Sequence, residues 1–251
     1  MLRKLLKSRA PVPPATIPAG QRVYAIGDVH GCLDLLDQLL AAIDADDAAR
    51  ESAATTLIFL GDLVDRGPDS AGVMERVRRL CEQRSDVRLL LGNHEEVFLA
   101  ALEGDAKALK LFTRIGGRET AISYGITPSD YEGMDYDELG SALSASVPPE
   151  HRALLANGAD METVGDYVFV HAGVRPERPL DQQRGVDLRW IRDSFLHHRS
   201  RLDKMVVHGH TIADEVEFKP HRIGVDTGAY LSGRLSAVGL EGDRSWVIAA
   251  E

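Results

Sequence analysis

Only two of the 251 residues are cysteines, Cys32 and Cys81, which excludes a disulfide framework and suits a reducing compartment. No run of 18 apolar residues occurs, so no stretch is written as a membrane span. The first residues also lack the apolar heart of an export signal, because Arg3, Lys4, Lys7 and Arg9 are followed by Pro11-Val12-Pro13-Pro14. The expected location is therefore cytoplasmic, and residues 1–20 read as a flexible, basic, proline-rich tail. Positive charge is scarce elsewhere: 29 Lys and Arg stand against 39 Asp and Glu, and the chain beyond those four cations carries −14. Such a body repels nucleic acid and anionic lipid at long range, which excludes a nucleic-acid-binding module. Internal repeats and low-complexity stretches are absent too.

What is present is a globular composition, 44% apolar and 27% charged. A chain of this length buries roughly 70–75% of its unfolded surface, so any metal it binds serves chemistry and is not needed to close the core. From residue 21 to 251 a single α/β catalytic domain is expected. Apolar runs at Val23–Ile26, Leu57–Leu60, Val87–Leu91, Val168–Val170 and Met205–Val207 read as strands. Leu36, Leu39, Leu40 and Ile43, then Val73, Val77 and Leu80, recur at helical spacing between them. Residues 104–160 are polar and broken by glycine and proline, and read as a helical insertion beside the site. Strand signals at Ile223–Asp226, Leu235–Leu240 and Trp246–Ala249 are expected to build a second sheet layer.

Each of the first five runs ends in a polar cluster: Gly27-Asp28-Val29-His30-Gly31, Gly61-Asp62-Leu63-Val64-Asp65-Arg66-Gly67, Gly92-Asn93-His94-Glu95, His171-Ala172-Gly173 and His208-Gly209-His210-Thr211. In sheets with helical crossovers, ligands sit beyond the carboxyl ends of the strands, so the five loops are expected to converge. Asp28 and His30, two apart, offer a hard oxygen and a borderline nitrogen to a divalent cation. Asp62 adds a carboxylate whose two oxygens can bridge two cations, and Asn93 a neutral oxygen that avoids piling up charge. Taken singly, each is an ordinary turn residue or a hydrogen-bonded core histidine. Five such loops in one chain carry the argument.

In this order the motifs resemble the calcineurin-like metallophosphoesterases, in the bacterial and phage form of the phosphoprotein phosphatase branch, from about residue 21 to 240 and including Val225-Asp226-Thr227-Gly228-Ala229. The resemblance implies a four-layer α/β/β/α sandwich. It also implies two divalent ions, manganese first, with iron or zinc as alternatives. One would be held by Asp28, His30 and Asp62, the other by Asp62, Asn93, His171 and His210. His94 then matches the general acid, Asp65 its orienting partner and Arg66 a phosphate-gripping arginine. A second such arginine falls at Arg192 in Trp190-Ile191-Arg192, with Arg184 and Arg189 in the same segment. Glu95 and Thr211 are expected to hold their loops by hydrogen bonds, His208 to lie behind the ligands, and Cys32 to be a small buried apolar group.

The implied reaction is hydrolysis of a phosphomonoester, with phosphorylated serine or threonine of a protein, or a small phosphoester, as substrate. A hydroxide shared by the two cations attacks phosphorus directly, without a covalent phosphoenzyme. Two alternatives stand beside it. One is a dinucleoside tetraphosphate hydrolase, against which Asp65 and Glu95 weigh; the other, remote, is a metal-binding scaffold without catalysis.

Overall fold

The computed structural model describes residues 14–251. The chain first lays down β1 (Gln21–Ile26), α1 (Leu33–Ala48), β2 (Ala54–Phe59), α2 (Ser70–Gln83) and β3 (Val87–Leu89). These three strands are parallel, as right-handed helical crossovers require. The residues with helical spacing are the ones α1 and α2 bury: Leu36, Leu39, Leu40 and Ile43 on one, Val73, Val77 and Leu80 on the other. Six helices follow, α3 (Asn93–Leu102), α4 (Ala106–Ile115), α5 (Gly117–Ser123), α6 (Pro128–Gly133), α7 (Tyr136–Ser146) and α8 (Pro149–Ala156), and the last five occupy the span expected to be helical.

The second sheet contains β4 (Met161–Val164), β5 (Tyr167–Val170), β6 (Met205–His208), β7 (Glu217–Phe218) and β8 (Arg222–Gly224), in the order β4-β5-β6-β8-β7. Between β5 and β6 lie α9 (Gly185–Trp190) and α10 (Asp193–Leu196); after β8 come α11 (Ala229–Ser232), β9 (Leu235–Glu241) and β10 (Arg244–Ala250). The expectation that every strand from residue 222 onward forms the second layer is corrected here. Only β8 does so. β9 pairs antiparallel with β1 and β10 pairs with β9, so both extend the first sheet, ordered β10-β9-β1-β2-β3. The physical reason is the open hydrogen-bonding edge of β1, which the buried β9 closes.

Strand alternation sorts the apolar side chains into three cores. Tyr24 and Ile26 face the helices, while Val23 and Ala25 face the other sheet. On β5, Tyr167 and Phe169 enter the core between the sheets, and Val168 and Val170 meet Leu188, Ile191 and Phe195 of the α9–α10 segment. Helices therefore flank two stacked sheets. The tail boundary also shifts. Ala15 and Ile17 are buried, Ile17 N donates to Gly242 O, and the Thr16 amide and hydroxyl both donate to Asp166. Packing thus begins before residue 20, because Ile17 reaches the core between the sheets. The four tail cations lie outside the described residues. Among the described residues no helix is long and apolar enough to cross a membrane.

Candidate metal centre

The loops after β1, β2, β3, β5 and β6 meet in one buried cluster. Five residues that are not glycine have left-handed backbone there: His30 (φ 44°), Asp62 (51°), Asp65 (73°), Arg66 (69°) and His210 (63°). Strain of this kind, of order 1–3 kcal/mol per residue, persists only where surrounding bonds over-determine the backbone. The Glu95 carboxylate is one such determinant. Fully buried, it accepts from the amides of Asp62 (2.7 Å), Leu63 (2.7 Å), Val64 (3.3 Å) and Gly92 (2.9 Å), which pins the loop carrying Asp62 to the start of α3. Close packing pins the other side. A Cβ on Gly209 would stand 2.0 Å from Asp28 Oδ1, so only glycine lets Asp28 accept from the His210 amide at 3.0–3.1 Å.

Two groups of candidate ligand atoms result. His30 Nδ1 donates to Val64 O (2.8 Å), leaving the Nε2 lone pair 3.5 Å from Asp62 Oδ2 and near His94. His171 Nδ1 likewise donates to Leu60 O (2.9 Å). Its Nε2 then faces Asn93 Oδ1 at 3.0 Å, His210 Nδ1 at 3.1 Å and Asp62 Oδ1 at 3.4 Å. Asp62 is common to both groups. Carbonyl partners on the far nitrogens are the usual way a protein aims metal-binding histidines.

The donor set fits divalent ions. Imidazole nitrogens and carboxylate oxygens crowd together in a buried interior, a costly arrangement that a cation would relieve. His210 Nε2, buried, has no hydrogen-bond partner among the described residues. Burial pushes the Asp62 carboxyl up to about 6 and Asp28 well above the carboxylate range, with Asp226 and Asp62 adding to the latter. It also lowers His30 and brings His171 down to about 4, so the imidazoles are neutral and ready to coordinate. Asp28 is placed differently from the first ligand group. Its oxygens are engaged by the His210 amide, and the three closest members of that group are His30, Asp62 and His94.

Beside the ligands, His94 Nδ1 donates to Asp65 Oδ2 at 2.6 Å, and both are buried. The other Asp65 oxygen accepts from the Thr120 hydroxyl (2.7 Å), and the Asp65 amide donates to Thr120 and Ser70 hydroxyls. Burial pushes the Asp65 carboxyl up to about 8 and lowers His94. Arg66 Nη2 lies 3.0 Å from His94 Nε2, while its amide donates to Gly116 O. Arg192, exposed at the start of α10, reaches His210 O with Nη2 at 3.5 Å. The neighbouring candidates are committed elsewhere: Arg184 to Asp187, and Arg189 to Glu96 and Asp160.

Some residues escaped the sequence reading. Thr120 and Gly116 come from the helical insertion, and their role depends on a contact some fifty residues along the chain. Asp226, in a motif already noted but given no role, is buried, accepts from the Gly228 amide and helps to push the Asp28 carboxyl up. Tyr230 accepts from Arg66 Nη1 at 3.0 Å. His208 does lie behind the cluster, where Arg222 Nη1 meets its Nε2 at 3.2 Å and its ring packs on Phe195. Thr211 departs from expectation. Its buried hydroxyl has no partner among the described residues, and the Thr211 amide, donating to Gly209 O, holds that loop instead. Cys32 is half-buried, its thiol raised to about 11 by burial.

Proteins of known sequence and structure resemble the chain over most of its length. The chain is 26% identical over 233 residues to the asymmetrical bis(5'-nucleosyl)-tetraphosphatase PrpE of Anoxybacillus flavithermus, covering 85% of this chain and 88% of that one. It is 35% identical over 155 residues to a symmetrical bis(5'-nucleosyl)-tetraphosphatase of an Acidovorax species, where the match spans 62% of this chain and 45% of the relative. A solved structure described provisionally as a diadenosine tetraphosphatase shares the fold, with TM-score 0.63, 23% identity, and 94% and 99% of the two chains covered. The sequence profile described as calcineurin-like phosphoesterase matches residues 21–233, the stretch that carries all five loops. The chain therefore belongs to the calcineurin-like phosphoesterase family.

Proposed function

We propose that this protein is a metal-dependent hydrolase of bis(5'-nucleosyl) tetraphosphates. The observation that carries the reading is its likeness to the Anoxybacillus tetraphosphatase over most of both chains. Asp62, Asn93, His171 and His210 would hold one divalent ion, and His30 and Asp62, with Asp28, a second. Manganese, iron and zinc all suit these nitrogen and oxygen donors. Bound there, two ions supply water that ionises near neutral pH and a clamp on the phosphoryl oxygens.

The chain's own groups do the rest. Arg66 exchanges its contact with His94 for a phosphoryl oxygen, and its planar fork makes a charge-assisted pair there. Arg192 sits on the same side as His210 and can close on the phosphate chain. Once released by Arg66, the His94 Nε2 lone pair takes up a proton from water and the ring passes it to the departing oxygen, while Asp65 accepts from Nδ1 and stabilises the charged form.

A second reading, hydrolysis of phosphoserine or phosphothreonine, is favoured by the same His94–Asp65 pair. An alkoxide leaving group needs that proton more than a nucleotide phosphate does. Turnover of diadenosine tetraphosphate and of a phosphoserine peptide, each with manganese and with zinc, separates the two. A higher kcat/KM on the dinucleotide is expected, and faster release from the peptide would reverse the assignment.

A further inference from the structure

The polar metal centre has an apolar neighbour. Tyr230, in α11, stands with its ring edge-on to His30, centroids 5.2 Å apart, and its hydroxyl accepts from Arg66. The guanidinium carbon of Arg66 lies 4.9 Å from the Tyr230 ring centroid. Leu231 is 70% exposed, the barest large hydrophobic side chain among the described residues. Ile212, two residues beyond the candidate ligand His210, is 44% exposed. It packs so close to Gly228 that a Cβ there would stand 3.0 Å from its side chain, so the loops after β6 and β8 touch.

We propose that Tyr230, Leu231 and Ile212 form the seat of a nucleobase, placed so that the attached phosphate chain runs to Arg66 and the metal ligands. The inference rests on the tetraphosphatase reading and gives it a specificity element. Two bare aliphatic side chains, one following Tyr230 in α11 and one packed on Gly228 at the start of that helix, cost free energy in water, and a planar, neutral base would cover them. A base adds no charge, so the acidic body does not oppose its entry. Ribose and phosphate alone offer nothing to this patch. Tyr230 has two tasks here: its face packs on the base, and its hydroxyl positions Arg66 for the phosphate.

Calorimetric binding of adenosine monophosphate and of ribose 5-phosphate to the manganese-loaded full chain tests the seat. Base stacking on aromatic side chains predicts a preference for the nucleotide of about five-fold or more. The Ile212→Ser/Leu231→Ser double variant should bring the two affinities together, and Tyr230→Phe should keep the preference while weakening both ligands through Arg66. Equal affinities in the wild type, or a preference untouched by the double variant, would overturn the seat. Hydrolysis of diadenosine tetraphosphate is scored separately. A base preference without hydrolysis sinks the functional reading alone, and hydrolysis without a base preference sinks the seat alone.

Discussion

At the scale of single residues, the site is a set of ordinary side chains aimed by bonds that a linear sequence only half reveals. Asp62, Asn93, His171 and His210 were legible because each follows an apolar run, and strand ends in such a fold gather at one place. The bonds that aim them were not. Val64 O and Leu60 O select the free nitrogens of His30 and His171, and a carbonyl leaves no signature in a residue name. His94 gives the sharpest test. His94→Ala should retain metal, measured by bound-ion content. It should lose turnover by about 10²- to 10⁴-fold on alkyl phosphates, the range for general acid catalysis, and less on aryl phosphates whose leaving groups need no proton. Equal losses on both would remove the proton-donor role.

Among elements, the helical insertion touches the candidate site directly, through Thr120 on Asp65 and Gly116 on Arg66. Gly116, joining α4 to α5 at φ 114°, accepts from the Arg66 amide, and a Cβ there would stand 2.6 Å from Arg66 Cγ. Gly116→Ala should cost about 1–3 kcal/mol of stability by strain and displace Arg66, raising KM more than it lowers kcat. An unchanged KM would separate the insertion from phosphate binding. On the opposite side, Asp187 of α9 gathers Arg175, Arg178 and Arg184 and steadies the turn that leads to Arg192. The hydrogen bond from Arg175 holds its carboxyl below the usual range. A depressed acid contributes stability fully above its unfolded value and loses it as pH falls through its folded one. Asp187→Asn should therefore be less stable than wild type at pH 7, by roughly 1–3 kcal/mol in denaturant unfolding, and the gap should narrow toward pH 3. A gap independent of pH would mean that shape, not charge, is what Asp187 supplies. The order of strands within the sheets was the least legible feature at this scale. β9 reads locally like any buried strand, and its place beside β1 depends on an edge more than two hundred residues earlier in the chain.

For the molecule as a whole, the acidic balance that argued against nucleic acid also burdens the site. Asp28, Asp62, Asp65, Glu95 and Asp226 are all buried in this cluster, with Arg66 and Arg192 as neighbouring permanent cations. Divalent ions offset that crowding, so metal binding and folding should be coupled. At free metal about a thousand times Kd, linkage gives about 4 kcal/mol. Thermal melting with and without a chelator should then differ by roughly 10 °C for a chain of this size. A melting temperature indifferent to chelator would show that the carboxylates are balanced without ions.

The left-handed turns at His30, Asp62, Asp65, Arg66 and His210 bear on how this protein can change. Glycine adopts such backbone freely, so at each of these positions it would relax the fold while deleting a candidate ligand or a proposed catalytic group. Five such turns, at about 1 kcal/mol or more each, are comparable with the 5–15 kcal/mol that holds a typical domain together. Selection for heat resistance alone would accordingly drift toward glycine at these five sites and yield a sturdier, inert protein. Persistence of the larger residues in thermostable variants would be a mark of selection acting on the chemistry itself.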